Sequence, residues 1–417
     1  MTQTSVKGQD NAEISRSAGA APALRVIGVG LISVGWMGRL HTRAYKAVAE
    51  RYPELGLRAR LVIAADTVEG SARQAAEVLG YENWTLDYHE VLSHPDVDVV
   101  SICAPNFLHK EMALAAAEAG KPFWIEKPMG RGAVESGEIV RAAQRAGIVT
   151  GVGFNYRQAP AVQHARALIR GGRLGRITNV RCWLFADYSA DPSGARTWRF
   201  EKDRAGTGVL GDLASHGFDL AQFLAGEITD VTALTQTIIT ARPKPVGGAA
   251  SHFSQGAVGE LKPVENEDYV GVLARFSSGA VGTFESSRVA VGPRAEYVIE
   301  VYGTEGSVRW NFQRLNELDV CLGLNEENHG YTTVMAGPGY GEFARFQPGA
   351  GTSMGFDDLK TIEAGLFLGS VASGRQLAPS AADGWSAACV ADAAEQSAAD
   401  GAWHKVGAIS GTTTYDA

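Results

Sequence analysis

A lysine, an aspartate and a histidine stand out in this 417-residue chain as groups able to move a proton and steady a growing negative charge. Lys127 lies in Trp124-Ile125-Glu126-Lys127-Pro128, just past an apolar run that reads as the fourth strand of a parallel sheet. Ligands of open α/β sheets bind at the carboxyl ends of the strands. An ammonium there could hydrogen-bond a reacting hydroxyl and stabilise alkoxide character as hydride leaves the carbon, although a surface lysine after a strand is also common. The following proline fixes the local backbone. Asp212 and His216 lie in 208–220, which reads as a helix ending near Gly226. Val209, Leu213, Leu220 and Leu224 form one apolar stripe that includes His216, so an imidazole sits on a buried face. Asp212 is at i−4, so the pair reads either as a general base with its orienting acid or as a core histidine satisfied by an aspartate. The reference pKa of histidine, about 6.5, suits proton acceptance near neutrality better than the value of about 10.4 for lysine, which assigns the proton to His216.

What would take the hydride is suggested nearer the start. An apolar run ending at Ile32 leads into Ser33-Val34-Gly35-Trp36-Met37-Gly38, a dinucleotide fingerprint with serine in place of the first glycine. Gly35 lets backbone amides approach a pyrophosphate, and Gly38 lets the next helix pack closely with its N-terminus toward the charge. Such a run is weak evidence alone, because ordinary turn glycines look the same. Asp66 ends the second strand, where a carboxylate accepts from the ribose hydroxyls and repels a 2′-phosphate, favouring NAD over NADP. A cap or turn aspartate is the alternative. Asp212 and His216 offer two ligands without a completing cluster, so no metal is expected.

The elements that must position these groups follow from pattern. Apolar runs at Val26–Ile32, Arg60–Ala65, Val97–Ala104, Phe123–Ile125 and Val149–Phe154 alternate with helical stretches at Ser71–Leu79, Lys110–Ala119 and Val134–Ala146. That rhythm predicts a doubly wound α/β domain over 24–156. From 157 to 417 the rhythm changes. A helix near Ala161–Arg170 and a strand over Ile177–Phe185 precede strand-like runs at Tyr269–Phe276, Ala280–Ser287, Tyr297–Tyr302 and Gly306–Trp310. Their short connectors suit antiparallel hairpins. Two Gly/Pro-rich stretches, 242–263 and 325–353, read as long loops, and Asp357–Ser370 and Ala381–Ala399 as helices.

Composition narrows the class. With 38 Lys+Arg against 46 Asp+Glu the net charge is −8, and no basic run is dense enough to track nucleic acid. The four cysteines, scattered and without a CxxC pair, read as reduced thiols. Met1 to Ala23 is polar and small-residue rich, lacks the apolar core of a signal peptide, and reads as a disordered tail. No window nears the roughly 18 apolar residues of a membrane span. A cytoplasmic protein is expected.

Taken together, Ser33-x-Gly35-x-x-Gly38, Glu126-Lys127-Pro128, Asn155-Tyr156-Arg157 and Asp212-x-x-x-His216 resemble the Gfo/Idh/MocA oxidoreductases over nearly the whole chain. The resemblance implies a Rossmann domain followed by an α/β domain whose open, mainly antiparallel sheet carries substrate on one face and subunit contacts on the other. A homodimer or homotetramer through that sheet would follow. It makes Lys127, Asp212 and His216 the catalytic group. It puts cofactor contacts on Ser33, Val34, Gly35, Trp36, Met37, Gly38, Asp66, Ala104, Asn106, His109, Glu126 and Lys127. Asn155, Tyr156, Arg157 and Trp198 would lie near substrate or nicotinamide. Trp198-Arg199, Gly206-Thr207-Gly208 and the 211–216 stretch look like the pyranose dehydrogenases, the levoglucosan-oxidising type among them; inositol dehydrogenases share the same Lys, Asp and His. The implied chemistry is oxidation of a secondary ring hydroxyl of a sugar or cyclitol to a ketone. The reverse reduction, or an NAD-binding sensor without catalysis, are the competing readings. Trp183, Tyr188, Trp198 and Tyr340 are candidate ring-stacking aromatics.

Overall fold

A computed structural model describes residues 24–245, 259–324 and 329–407. The expected tail over 1–23 and part of each expected loop, 246–258 and 325–328, lie outside the described residues. The first half is a six-stranded parallel sheet of β1 (Arg25–Ile32), β2 (Leu57–Ala65), β3 (Asn83–Thr85), β4 (Val99–Ile102), β5 (Phe123–Ile125) and β6 (Thr150–Val152), in the order β3-β2-β1-β4-β5-β6. Helices cover both faces of the sheet, so β4 and β5 are buried at every position and β2 is apolar and buried from Leu61 to Ala65. The strand before Lys127, expected as the fourth, is the fifth. β3 is three residues long, too short and polar to show a period.

The chain reverses its direction of progress across the sheet between β1 and β4, and the crevice there is where open α/β sheets take ligands. Helix Trp36–Arg51 starts at that crevice with Gly35 as its cap and no side chain satisfying its first amides. Ser33 adopts φ 74°, the left-handed region that the expected glycine would occupy freely. Gly38 is obligatory for contact: a Cβ there would lie 2.2 Å from the Ser33 carbonyl oxygen.

The second half carries β7 (Ile177–Ala186), β8 (Ile228–Gln236), β9 (Ala241–Pro243), β10 (Leu261–Pro263), β11 (Tyr269–Phe276), β12 (Val281–Ser287), β13 (Ala295–Gly303), β14 (Gly306–Asn311), β15 (Glu317–Leu322), β16 (Thr332–Met335) and β17 (His404–Lys405). Nine of them form one sheet, β16-β15-β14-β13-β7-β12-β11-β8-β17, antiparallel except for the β7–β12 pair. The stretches expected as structureless loops are not wholly so, since β9 and β10 pair as a small ribbon and β16 edges the large sheet. Along β11 the side chains alternate, with Val270, Val272, Ala274 and Phe276 buried and Leu273 exposed. Leu234, Leu273 and Val281 share the open face through register, while helices Ser215–Ala225 and Ala381–Asp400 cover the other. Helix Phe356–Ser373, though late in the chain, packs against Trp36–Arg51 of the first half.

Candidate active site

At the end of β5 the backbone delivers two adjacent charges to opposite surroundings. Lys127 turns outward, donating from Nζ to the Asp212 carbonyl at 2.7 Å and to Asp212 Oδ1 at 3.1 Å. The other carboxylate oxygen accepts from the Tyr188 hydroxyl at 2.8 Å. The regular helix expected over 208–226 is instead a wide π turn at Leu210–Ala214 that continues as α-helix over Ser215–Ala225. Such turns are frequent at functional sites, because the extra residue re-aims side chains; here it sets Asp212 against Lys127. The apolar stripe is as read: Val209, Leu213, Leu220 and Leu224 are buried, and so is His216.

The imidazole of His216 is walled by aromatic rings, with Tyr156 at 4.8 Å and Phe154 at 6.0 Å between centroids, and its main-chain carbonyl accepts from Tyr297 at 2.8 Å. Burial, and then the positive charge of Lys127, push its pKa well below the ordinary histidine value, against the pull of Asp212. The ring is therefore neutral and able to accept a proton.

Glu126 turns inward. Its Oε1 accepts from His41 Nε2 at 2.9 Å and from Lys360 Nζ at 2.6 Å, and Lys360 also pairs with Glu363 at 2.8 Å. His41 stacks on Trp124 at 3.4 Å and meets the Ser101 hydroxyl through Nδ1 at 3.1 Å. All are buried. Burial pulls His41 down to about 4 despite Glu126, so the neutral ring donates to Glu126 and accepts from Ser101. Burial alone would raise the Glu126 pKa, but Lys360 and His41 together hold it below the usual carboxylate range. Lys360 cannot serve both acids equally: burial carries Glu363 up to about 8, leaving it largely protonated at neutrality. Gly153 makes room for the cluster, since a Cβ there would lie 2.6 Å from both Glu126 carboxylate oxygens.

A pocket of about 270 Å³ opens over Lys127 and Asp212. Trp36, Met37, Ala104, Asn106, His109 and the edge of Glu126 join its wall, as does Trp198. A second hollow, bounded by Ser33, Asp66, Ala104 and Tyr88, continues along the same sheet edge. The Asp66 carboxylate accepts from the amides of Val34 at 2.8 Å and Val68 at 2.9 Å, so it is anchored beside the fingerprint turn. His109 bridges loops, its ring nitrogens 2.9 Å and 2.7 Å from the carbonyls of Pro128 and Ala104. Burial lowers its pKa, and the neutral ring can donate to only one of them.

Several expectations meet different surroundings. Arg157, expected at the substrate, is buried in a pair with Asp219 and reaches Asp383 at 3.0 Å, and it lines another cavity beside Phe223. Asn155 and His216 are both buried and do not line the Lys127 pocket, and Tyr156 packs against the His216 ring. Trp183 donates to Glu296 at 3.1 Å away from the pocket, and Tyr340 stacks on His164 at 3.8 Å. Tyr188 reaches the site through its hydroxyl rather than as a stacking ring. Arg288 was unforeseen: it lines the pocket, ion-paired to Asp268 at 2.7 Å. Nothing local in the sequence marks it.

A dinucleotide fits these residues. The helix that begins at Gly35 has free N-terminal amides, and a Cβ at Gly35 would meet only the Ser33 hydroxyl, at 4.0 Å, so the approach is open. The buried Oδ1 of Asn106 has no partner among the described residues, although its Nδ2 donates to the Ala205 carbonyl at 2.8 Å. Among the described residues there is no group of three or more His, Cys, Asp or Glu side chains placed to hold a metal, and no helix long and apolar enough to cross a membrane.

Comparison with known proteins agrees with this geometry. Residues 27–154 match the oxidoreductase family with NAD-binding Rossmann fold, and residues 162–309 match the GFO/IDH/MocA C-terminal domain. The chain is 40% identical to levoglucosan dehydrogenase of Pseudarthrobacter phenanthrenivorans over 92% of this chain and 99% of that protein. It is 28% identical to inositol 2-dehydrogenase of Rhizobium meliloti over 89% of this chain and 96% of the other. A solved levoglucosan dehydrogenase in complex with NADH and levoglucosan superposes with a TM-score of 0.86 at 37% identity, covering 92% of this chain and 100% of that one.

Proposed function

The chain belongs to the Gfo/Idh/MocA oxidoreductase family, and from that premise we propose that it oxidises a secondary ring hydroxyl of a sugar (a pyranose, anhydrosugar or glycoside) to a ketone. The observation that carries this reading is the Lys127–Asp212–Tyr188 chain of hydrogen bonds in a pocket at the carboxyl edge of an NAD-binding sheet. NAD supplies the hydride acceptor when bound. Ser33 to Gly38, Asp66, Ala104 and Asn106 would hold it, with Glu126 and His109 fixing the floor beneath. Asp66 anchored to the Val34 amide favours NAD over the 2′-phosphorylated cofactor.

Lys127, steered by Asp212, donates a hydrogen bond to the substrate oxygen and stabilises its negative charge as the C–H bond breaks. His216, kept neutral by burial, accepts the hydroxyl proton. Tyr188 and Asp212 fix the ammonium so that no reorganisation is needed during the step. Trp198 and Arg288 wall the substrate. The work divides between a cofactor domain over 24–156 and a substrate domain over 157–417. The open sheet face with Leu234, Leu273 and Val281 fits assembly into a homodimer or homotetramer, which light scattering of the purified protein checks. Four free cysteines fit the cytoplasm.

The test is NADH absorbance with NAD or NADP against free pyranoses, anhydrosugars, alkyl glycosides and inositols. Turnover of a pyranoside with NAD is expected. Turnover confined to inositols would move the assignment to a cyclitol dehydrogenase, and silence across the panel would sink the dehydrogenase reading.

A further inference from the structure

The catalytic pocket, at about 270 Å³, sits just under the roughly 300 Å³ at which small-molecule sites begin, and it must house the nicotinamide end of the cofactor as well as a reacting ring. Trp198 is a wall common to this pocket and to an adjoining cleft of about 710 Å³. The indole is held rigidly. The Arg199 guanidinium covers it at 4.3 Å, the Phe107 ring meets it edge-on at 5.6 Å, and Arg204 lies over Phe107 at 4.8 Å. Thr197, buried beside it and also lining the cleft, has a hydroxyl with no hydrogen-bond partner among the described residues.

Charge distinguishes the cleft from the rest of a chain whose net charge is −8. Arg196, Arg204, Lys244 and Lys262 line it against Glu201 and Glu265, a surplus of two positive charges. Both glutamates are already bound by Arg196, at 2.8 Å and 2.5 Å. The remaining cations are partly matched as well: Arg204 lies 3.7 Å from Glu201 and Lys262 pairs with Glu260 at 2.8 Å, which leaves Lys244 as the lining cation without an ion pair among the described residues. A rigid aromatic wall suits the C–H face of a sugar ring, and clustered guanidinium and ammonium donors suit a carboxylate.

We propose that this cleft is a subsite for a second sugar ring bearing a carboxylate, so that the substrate is an acidic glycoside whose first ring is oxidised over Lys127. The inference rests on the dehydrogenase reading above and adds the substrate class to it. No new chemical step is involved: the second ring contributes binding, and the hydroxyl oxidised lies on the first.

The experiment compares kcat/KM for an active monosaccharide, its neutral disaccharide glycoside and the corresponding glycoside of a uronate, in the wild type and in a Lys244→Ala/Lys262→Ala double variant. The wild type should prefer the uronate glycoside about tenfold over the neutral one, a preference that shrinks with added salt. The double variant should lose about tenfold on the uronate glycoside and keep its monosaccharide rate. Calorimetric titration of the NAD-loaded protein with the uronate glycoside, which needs no turnover, should show the same tenfold weakening. A monosaccharide used as well as either glycoside, a neutral glycoside equal to the acidic one, or a variant slowed alike on all three overturns the proposal with the dehydrogenase reading intact. Silence of all three, with no calorimetric binding, overturns both.

Discussion

Glu126 and Lys127 are neighbours in the chain and both touch the pocket, but their charged groups meet different surroundings. Glu126 points into a dry cluster with His41, Lys360 and Glu363, in which every group is buried. Lys127 points into a pocket, and its pair with Asp212 keeps 16% and 33% of the two side chains exposed. A buried ion pair is costly to desolvate and collapses when one partner is removed, so it specifies an arrangement rather than a reaction. A partly wet pair with an open approach can exchange partners with a ligand. The alternation of side chains along a strand end thus separates the charge that holds the sheet to the late helix from the charge that meets substrate.

Three substitutions put that separation at risk, in falling order of expected effect. Lys127→Ala should lower kcat by about 10²–10⁴ in the NADH assay while urea unfolding changes by less than about 2 kcal/mol; comparable loss of stability would erase the distinction. Lys360→Met leaves Glu126 and Glu363 buried without their shared cation and should cost about 3–5 kcal/mol in the same unfolding experiment. Residual folded protein should retain kcat within a few-fold, and a kcat loss like that of Lys127→Ala would show the inner cluster acting in the chemistry. Glu363→Gln is the gentlest change, because the native carboxyl is already largely protonated at neutral pH. Burial raises its pKa from the ordinary 4.5 to about 8, so the native state binds the extra proton in that window and its contribution, full below about 4.5, is lost as pH rises through about 8. The variant, which cannot lose a proton there, should gain on the wild type by on the order of 1 kcal/mol or more as pH is raised from about 5 to about 8. A constant difference across that range would show Glu363 charged throughout.

How far these features could be read in advance depended on distance along the chain. The strand and helix alternation of the first half, the Gly35 and Gly38 spacing and the hairpins over 269–287 and 297–310 are local patterns, and they fold as read, with small shifts of their ends. Lys127, His216 and Asp212 are also read from local context, the first from a strand end, the second from a helix stripe and the third from its i−4 spacing to His216. β3 and β17 are not, being three and two residues long. The π turn at Leu210–Ala214 leaves no periodic trace. Lys360 lies 234 residues from Glu126, and no pattern near either names the other. Arg157 was misplaced because the triplet around it says what type of residue is present but not that Asp219 and Asp383 would claim its guanidinium.

That separation in sequence also orders events on the ribosome. At about 5–20 residues per second, synthesis needs roughly 10–50 s to pass from Glu126 to the helix that carries Lys360. Throughout that interval the emerging Rossmann sheet holds a carboxylate aimed inward with no cation to meet it, and one flank of helix Trp36–Arg51 stays uncovered. The contacts that complete the cofactor domain, the Lys360–Glu126 pair and the cover over helix Trp36–Arg51, can therefore form only after the late helix has left the exit tunnel.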